Sequence, residues 1–319
     1  MTPYVGSGPY CFSNSLCMTL GESAPPPSFL EVLTGSPFGF QLIADEVPLF
    51  DPLGWDPEAG LDAAIDLLGY VCERSDGNDT DDALARLKAA LEQGPALAGP
   101  LDMGLLLHQP GSGSAAGADH YVTVLAVNED TVVFHDPHGH PYAALPTAAF
   151  LQAWRAEKVA YIDRPFVLRS AFERRREVSA DEALRASLPG ALAWLDIRAD
   201  REVPPGSLAN DQGLERLAEQ ITTGELPADV RQMLETFSVR AGARRLSDAA
   251  VALAGCGYQE AARLLRAQAV LLGSLQYPLV IEDDATLVSG LRQLAPTYGE
   301  LRQVLARTVA ADGPAGVGR

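Results

Sequence analysis

Cys11 opens the run Cys11-Phe-Ser-Asn-Ser-Leu-Cys-Met-Thr-Leu20, two residues after Pro9. Phe12, Leu16 and Leu20 recur at helical spacing and Gly21 stands where a C-terminal cap would, so the spacing predicts a short helix with the thiol at its start. At that position the outward-pointing backbone N–H groups and the positive end of the helix dipole favour the thiolate. A thiolate so placed can attack an acyl carbon if a base removes its proton and a third group orients the base.

The residues for those two roles are found in the clearest β signal of the chain. His120–Val127 (HYVTVLAV) and Thr131–His135 (TVVFH) flank the polar turn Asn128-Glu129-Asp130 and predict a hairpin with a three-residue loop. If Val127 pairs with Thr131, His120 falls opposite His138 and Asp136 opposite Val122. His120 and Asp136 then become diagonal neighbours on one face, about 7–8 Å apart at Cα, a gap that an imidazole and a carboxylate can bridge. The expected site is Cys11 as nucleophile, His120 as base and Asp136 as the group that orients the ring. Read singly, His120 is a polar residue opening a strand and Asp136 a turn residue before Pro137; the order Cys, His, Asp on a helix start and a hairpin is what joins them.

His138 is a rival for the base. His108, His135 and His140 also lie near Asp136 in the sequence, but HDPHGH crosses a strand end and a turn, with no helix-borne His pair and no CxxC, so no metal is expected. Cys17 lies about 240° around the helix from Cys11 and reads as core; Cys72 and Cys256 read as structural thiols. Asp102 is a candidate substrate contact or a plain loop carboxylate. Gly111–Ala118 (GSGSAAGA) reads as a flexible loop that could close over the site.

The elements that must hold these residues come in two kinds. Up to about residue 169, short helices (11–20, 29–33, 61–69, 81–94) alternate with short strands (96–99, 104–107, 120–127, 131–135, 158–162, 166–169). Beyond 170 helical patterns dominate: 181–195, 210–223, 227–239, 246–254, 259–272 and 286–306, the last expected to break near Pro296. The expected organisation is an α+β domain over 1–169, a helix packed on an antiparallel sheet, followed by an all-α domain over 170–319.

Composition narrows the function. The net charge of -18 is concentrated early: residues 1–165 hold 22 Asp and Glu against 6 Lys and Arg. Such a field disfavours nucleic acid and anionic membranes and attracts a cationic ligand. No stretch of eighteen apolar residues predicts a membrane span. The start carries no basic and apolar regions of a signal peptide, and the four cysteines are sparse, so a cytoplasmic protein with thiols is expected.

The Cys11–Leu20 run, together with His120-Tyr-Val-Thr-Val-Leu-Ala-Val127 and Phe134-His-Asp-Pro137, resembles the nucleophile helix, His strand and Asp-Pro turn of papain-like peptidases of the double-glycine, bacteriocin-processing type. Gly35–Gly69 and Gly99-Pro-Leu-Asp-Met103 are similar to the N-terminal domain family of butirosin biosynthesis protein H. The likeness covers roughly residues 5–165. It implies a papain-like fold and, for the second family, transfer of an aminoacyl group from a carrier-protein thioester to an aminoglycoside amine, without a cofactor. One departure stands out: the peptidases carry a Gln shortly before the Cys as an oxyanion donor, and residues 1–10 contain none. The Cys11 N–H supplies one donor, with Tyr4, Ser7, Tyr10 and Asn14 open as the second. Transfer from an activated thioester to an amine is therefore expected ahead of amide hydrolysis by the same triad or a non-catalytic binding role. The expected partners are a carrier protein or other acyl thioester and a cationic amine, with Arg174-Arg175-Arg176 as a candidate docking site for an acidic carrier.

Overall fold

The computed structural model describes residues 9–312. In chain order it begins α1 (Cys11–Leu20), α2 (Pro27–Leu33), β1 (Gln41–Ile43), β2 (Val47–Leu49), α3 (Pro57–Leu67), β3 (Tyr70–Ser75) and α4 (Thr80–Leu91). There follow β4 (Ala96–Asp102), β5 (Asp119–Val127), β6 (Thr131–Asp136), β7 (His140–Pro146), α5 (Thr147–Trp154) and β8 (Leu168–Arg174). The rest comprises α6 (Ala180–Leu195), β9 (Leu208–Ala209), α7 (Asn210–Thr223), α8 (Ala228–Met233), α9 (Val239–Gly255), α10 (Gln259–Ser274), α11 (Gln276–Val280) and α12 (Asp284–Asp312). The fold is α+β, with antiparallel sheets and a helical C-terminal region.

Two compact units divide the chain, and the division is not at residue 169. The first takes the stretch up to Pro27 and Leu68–Glu177; the second takes Ser28–Leu67 and everything from Val178 onward. The expected boundary put 28–67 with the N-terminal elements. Its partners lie far along the chain instead. β1 pairs with β9 through Gln41↔Ala209 and Leu42↔Leu208. The Phe40 N–H donates to Asn210 Oδ1, and the Asn210 N–H returns to the Phe40 carbonyl.

The first unit is a six-stranded antiparallel sheet in the order β3-β8-β4-β5-β6-β7. One face is covered by α4 and α5, whose Leu87, Phe150 and Trp154 join Val122, Val124, Val132 and Phe134 in a single apolar core. Burying such side chains contributes about 1.5–3 kcal/mol each, and this core fixes the sheet on which the site is built. The alternation of apolar residues in β5 and β6 is the period-2 signal that predicted them. Two expected strands are absent. Residues 104–107 form a 3₁₀ turn over Met103–Leu105, because buried Asp102 accepts from the N–H groups of Gly104, Ala116 and Gly117 and curls the chain around itself. Residues 158–162 run through turns held by Lys158 Nζ on the Ala115 carbonyl and Tyr161 Oη on Asp119.

In the second unit α9 packs along α10, and α7 along α12. Pro296 does not break α12, which continues for 29 residues. Leu291, Leu294, Ala295, Tyr298 and Leu301 are all buried around it, so the lost backbone hydrogen bond is outweighed by packing on either side.

Candidate active site

Residues Cys11 to Met18 of α1 are all buried, polar ones included. A helix buried all round must bond its polar side chains locally. Ser15 Oγ donates to the Tyr121 carbonyl at 2.9 Å, Thr123 Oγ1 donates to the Ser15 carbonyl at 2.8 Å, and Thr19 meets Thr123 at 3.3 Å. These bonds set α1 alongside β5, with Thr19 and Ser15 descending toward the strand's beginning. One further turn back, about 6 Å along the axis, brings Cys11 level with the start of β5, where His120 is the second residue. The Phe12 and Tyr121 rings meet edge-on there, 6.3 Å between centroids. Cys11 is 8% exposed and in no disulfide.

The hairpin register delivers the other pair. Thr123 pairs with His135 and Val124 with Phe134, the register expected at the site. It arises by a different route: at the turn Val127 pairs with Val132, and a bulge between Val124 and Ala126 shifts the ladder back by one. Alternation along β5 turns Tyr121 and Thr123 toward α1 and Val122 and Val124 toward α4 and α5. His120 shares the parity of Val122, and Asp136 that of Phe134.

Asp136 is completely buried and accepts four hydrogen bonds. His120 Nε2 lies 2.7 Å from Oδ1, which also accepts from the His138 N–H at 2.8 Å. His108 Nε2 lies 2.7 Å from Oδ2, which also accepts from Gln109 Nε2 at 2.6 Å. Burial by itself would raise the Asp136 pKa. The bonds from His108 and His120, the His120 charge and the His138 N–H outweigh it and hold the carboxyl well below the usual range. An ionised carboxylate only accepts, so both imidazoles carry their proton on Nε2. In the neutral rings Nδ1 is then a bare acceptor. Both Nδ1 atoms, of His120 and of His108, are buried without a hydrogen-bond partner among the described residues.

His120 and Asp136 are thus in direct contact, and Cys11 stands at the head of α1, which packs against β5 through Ser15, Thr19 and Phe12. His138 gives its main chain to Asp136 and sets its ring edge-on to that of His120, centroids 4.5 Å apart. His135 is buried and its Nδ1 accepts from the Tyr142 N–H. Among the described residues no group of three or more His, Cys, Asp or Glu is disposed to hold a metal ion. Of the second oxyanion donors, Tyr4 and Ser7 lie outside the described residues, Tyr10 is buried, and Asn14 Nδ2 donates to the Tyr10 carbonyl. The Cys17 thiol donates to the Pro25 carbonyl, and burial followed by Asp181 pushes Cys256 up to about 11.

Residues 204–306 match the family model described as the YobF C-terminal domain. The chain is also similar to the uncharacterized protein YobF of Bacillus subtilis (strain 168), 36% identical over 165 residues. That alignment takes in 50% of this chain and 53% of the relative, so the chain spans about half the length of the protein it matches. The family match falls within the helical unit, and Cys11, His108, Gln109, His120 and Asp136 all lie outside it.

His108 and Gln109 were not expected at the site. They sit on a turn between β4 and β5, where the Gln109 N–H donates to the Leu106 carbonyl. The loop after them is tied down rather than loose. The Gly113 N–H donates to the Gly104 carbonyl at 2.7 Å, and Ser112 Oγ to the Gln109 carbonyl. Asp102, which organises this loop, has its carboxylate engaged by three backbone N–H groups. The signal available in the sequence was that all five histidines of the chain fall between residues 108 and 140.

Proposed function

We propose that this chain is a cysteine acyltransferase of papain-like arrangement, moving an acyl or aminoacyl group from a thioester to a cationic amine through an acyl-Cys11 intermediate. The observation that carries this reading is the His120 ring: fixed through Nε2 to a buried carboxylate, it keeps Nδ1 without a hydrogen-bond partner among the described residues. In that arrangement His120 takes the Cys11 proton and the thiolate attacks the donor carbonyl. The tetrahedral oxyanion is met by the Cys11 N–H, and the donor thiolate leaves with the proton held on His120. Asp136 is a positioning residue that holds the ring and stabilises its charged form. For this, the His120 ring must reach the Cys11 thiol at the start of β5.

Two features favour a thioester donor and an amine acceptor over amide hydrolysis. Gln109, the side-chain amide beside the His–Asp pair, is engaged by Asp136, and Asn14 by its own helix, so neither is aimed at an oxyanion. An activated thioester demands less of that stabilisation than an amide. The acidity of residues 1–165 suits a cationic acceptor such as an aminoglycoside or polyamine. Of the three arginines proposed for carrier docking, Arg174 lies over the Tyr70 ring and donates to the Ser23 carbonyl, and Arg175 pairs with Glu173 at 2.8 Å.

The test is intact-mass analysis after incubation with a small-molecule acyl thioester. An adduct mapped to Cys11 and released only on addition of an amine is the expected result. Release by water alone makes the enzyme a hydrolase. No adduct, together with unchanged biological activity of Cys11→Ala, overturns the enzymatic reading in favour of a binding protein.

A further inference from the structure

The Asp136 carboxylate serves two imidazoles equally, at 2.7 Å each, and each is left with a bare, buried Nδ1 that nothing else among the described residues engages. A single-base mechanism needs only one of them. We infer that His108 is a second general base of the same site, and that its task is to take a proton from the ammonium form of the acceptor amine before attack. This rests on the proposed acyl transfer and adds a requirement that hydrolysis does not have, since water carries no proton that must leave before it can act as a nucleophile.

The surroundings fit the role. The His108 side chain is 11% exposed against 1% for His120, so the second base lies nearer solvent. The chain is anchored there, because Gln109 shares the same carboxylate oxygen and the turn is closed by backbone bonds. The groups facing the ring are Asp136, the His140 ring at 5.2 Å and the Phe134 ring at 5.1 Å.

The protons balance. His108 Nδ1 takes one proton from R–NH₃⁺. The resulting amine attacks the acyl-Cys11 carbonyl carbon, forming the C–N bond. His120 takes a second proton from the nitrogen, the C–S bond breaks, and the Cys11 thiolate recovers that proton from His120. The proton on His108 goes to solvent. The sum is thioester plus ammonium giving amide, thiol and H⁺.

The experiment uses His108→Gln, which keeps an N–H for Asp136 but cannot accept a proton. Formation of the Cys11 adduct from the thioester is measured in the same variant, and each transfer rate is read relative to it. Transfer at neutral pH to a strongly basic alkylamine, with pKa about 10, should slow by about 10²-fold. Transfer to methoxyamine, already neutral at that pH, should keep its rate. Equal slowing with both amines, or with neither, overturns the inference while the adduct still stands for the acyltransferase. Absence of the adduct in the unmodified protein removes both together. Should the variant fail to fold, the unmodified protein decides. Its transfer rate to the alkylamine should level off below the amine's own pKa, and a continuous rise up to that pKa rules out a second base.

Discussion

Each unit holds a buried carboxylate array, and the two end differently. In the helical unit Arg245 Nε donates to Glu31 at 2.8 Å and Nη1 to Asp51 at 2.9 Å. The Trp55 ring faces the guanidinium, Ser36 Oγ donates to Glu31, and Gln41 Nε2 donates to Asp51. No nitrogen or oxygen of those three charged side chains is buried without a partner. The Asp136 array satisfies its carboxylate just as fully but leaves two ring nitrogens open. Leaving a buried polar atom unpaired costs about 1–3 kcal/mol, and two such atoms stand on one carboxylate. The closed array stabilises structure; the open one is where the proposed chemistry would take place.

Asp136→Asn would break this contrast most sharply. An amide must turn its NH₂ toward one pair of donors, and the His120 tautomer is no longer fixed. The expectation is a fall of about 10⁴-fold in turnover of the thioester, with a stability loss of about 2–4 kcal/mol. A comparable loss of turnover and a much larger loss of stability would place Asp136 with the structural arrays. Arg245→Met tests the other side: Glu31 and Asp51 lose the guanidinium that pairs with both, and denaturant unfolding should show a loss of about 3–5 kcal/mol. Near-neutral behaviour there would mean the array is replaceable.

The pH dependence sharpens the comparison further. Because the folded protein holds Asp136 below the usual carboxylate range, the stability gained from its ionised form is complete above about pH 5 and drains away as pH falls below about 4. The gap in urea midpoint between the unmodified protein and Asp136→Asn should therefore narrow as the pH falls below about 4. A gap that widens in acid would contradict the assignment. The smallest effect is expected at Asp79, which caps α4 by accepting the Asp82 N–H at 2.8 Å. Asp79→Ala should cost about 1 kcal/mol in unfolding and leave transfer untouched.

The sequence made part of the site legible for an incomplete reason. The pairing of His120 with Asp136 follows from strand alternation, which burial of one sheet face enforces. The turn was misread by one residue, and the bulge near Leu125 cancels the error before the site is reached. Bulges answer to packing on both faces and leave little local trace. His108 and Gln109 reach Asp136 across 28 and 27 residues from an irregular loop, where no periodicity operates. The helices of the C-terminal region were readable, α7 to both of its ends, because each carries its own apolar stripe. The assignment of 28–67 was not, because an apolar pattern says that a segment is buried without saying against which core.

That interrupted layout bears on how the protein is made. Arg245 leaves the ribosome 195 residues after Phe50, whose carbonyl it contacts, an interval of roughly 10–40 s at ordinary elongation rates. Throughout it Glu31 and Asp51 have no guanidinium to meet, and the apolar residues between them have no helices to lie against. The strands from 70 to 174 can meanwhile find one another. Birth order therefore leaves the early segment without its native partners while every strand of the sheet that carries His120 is already made.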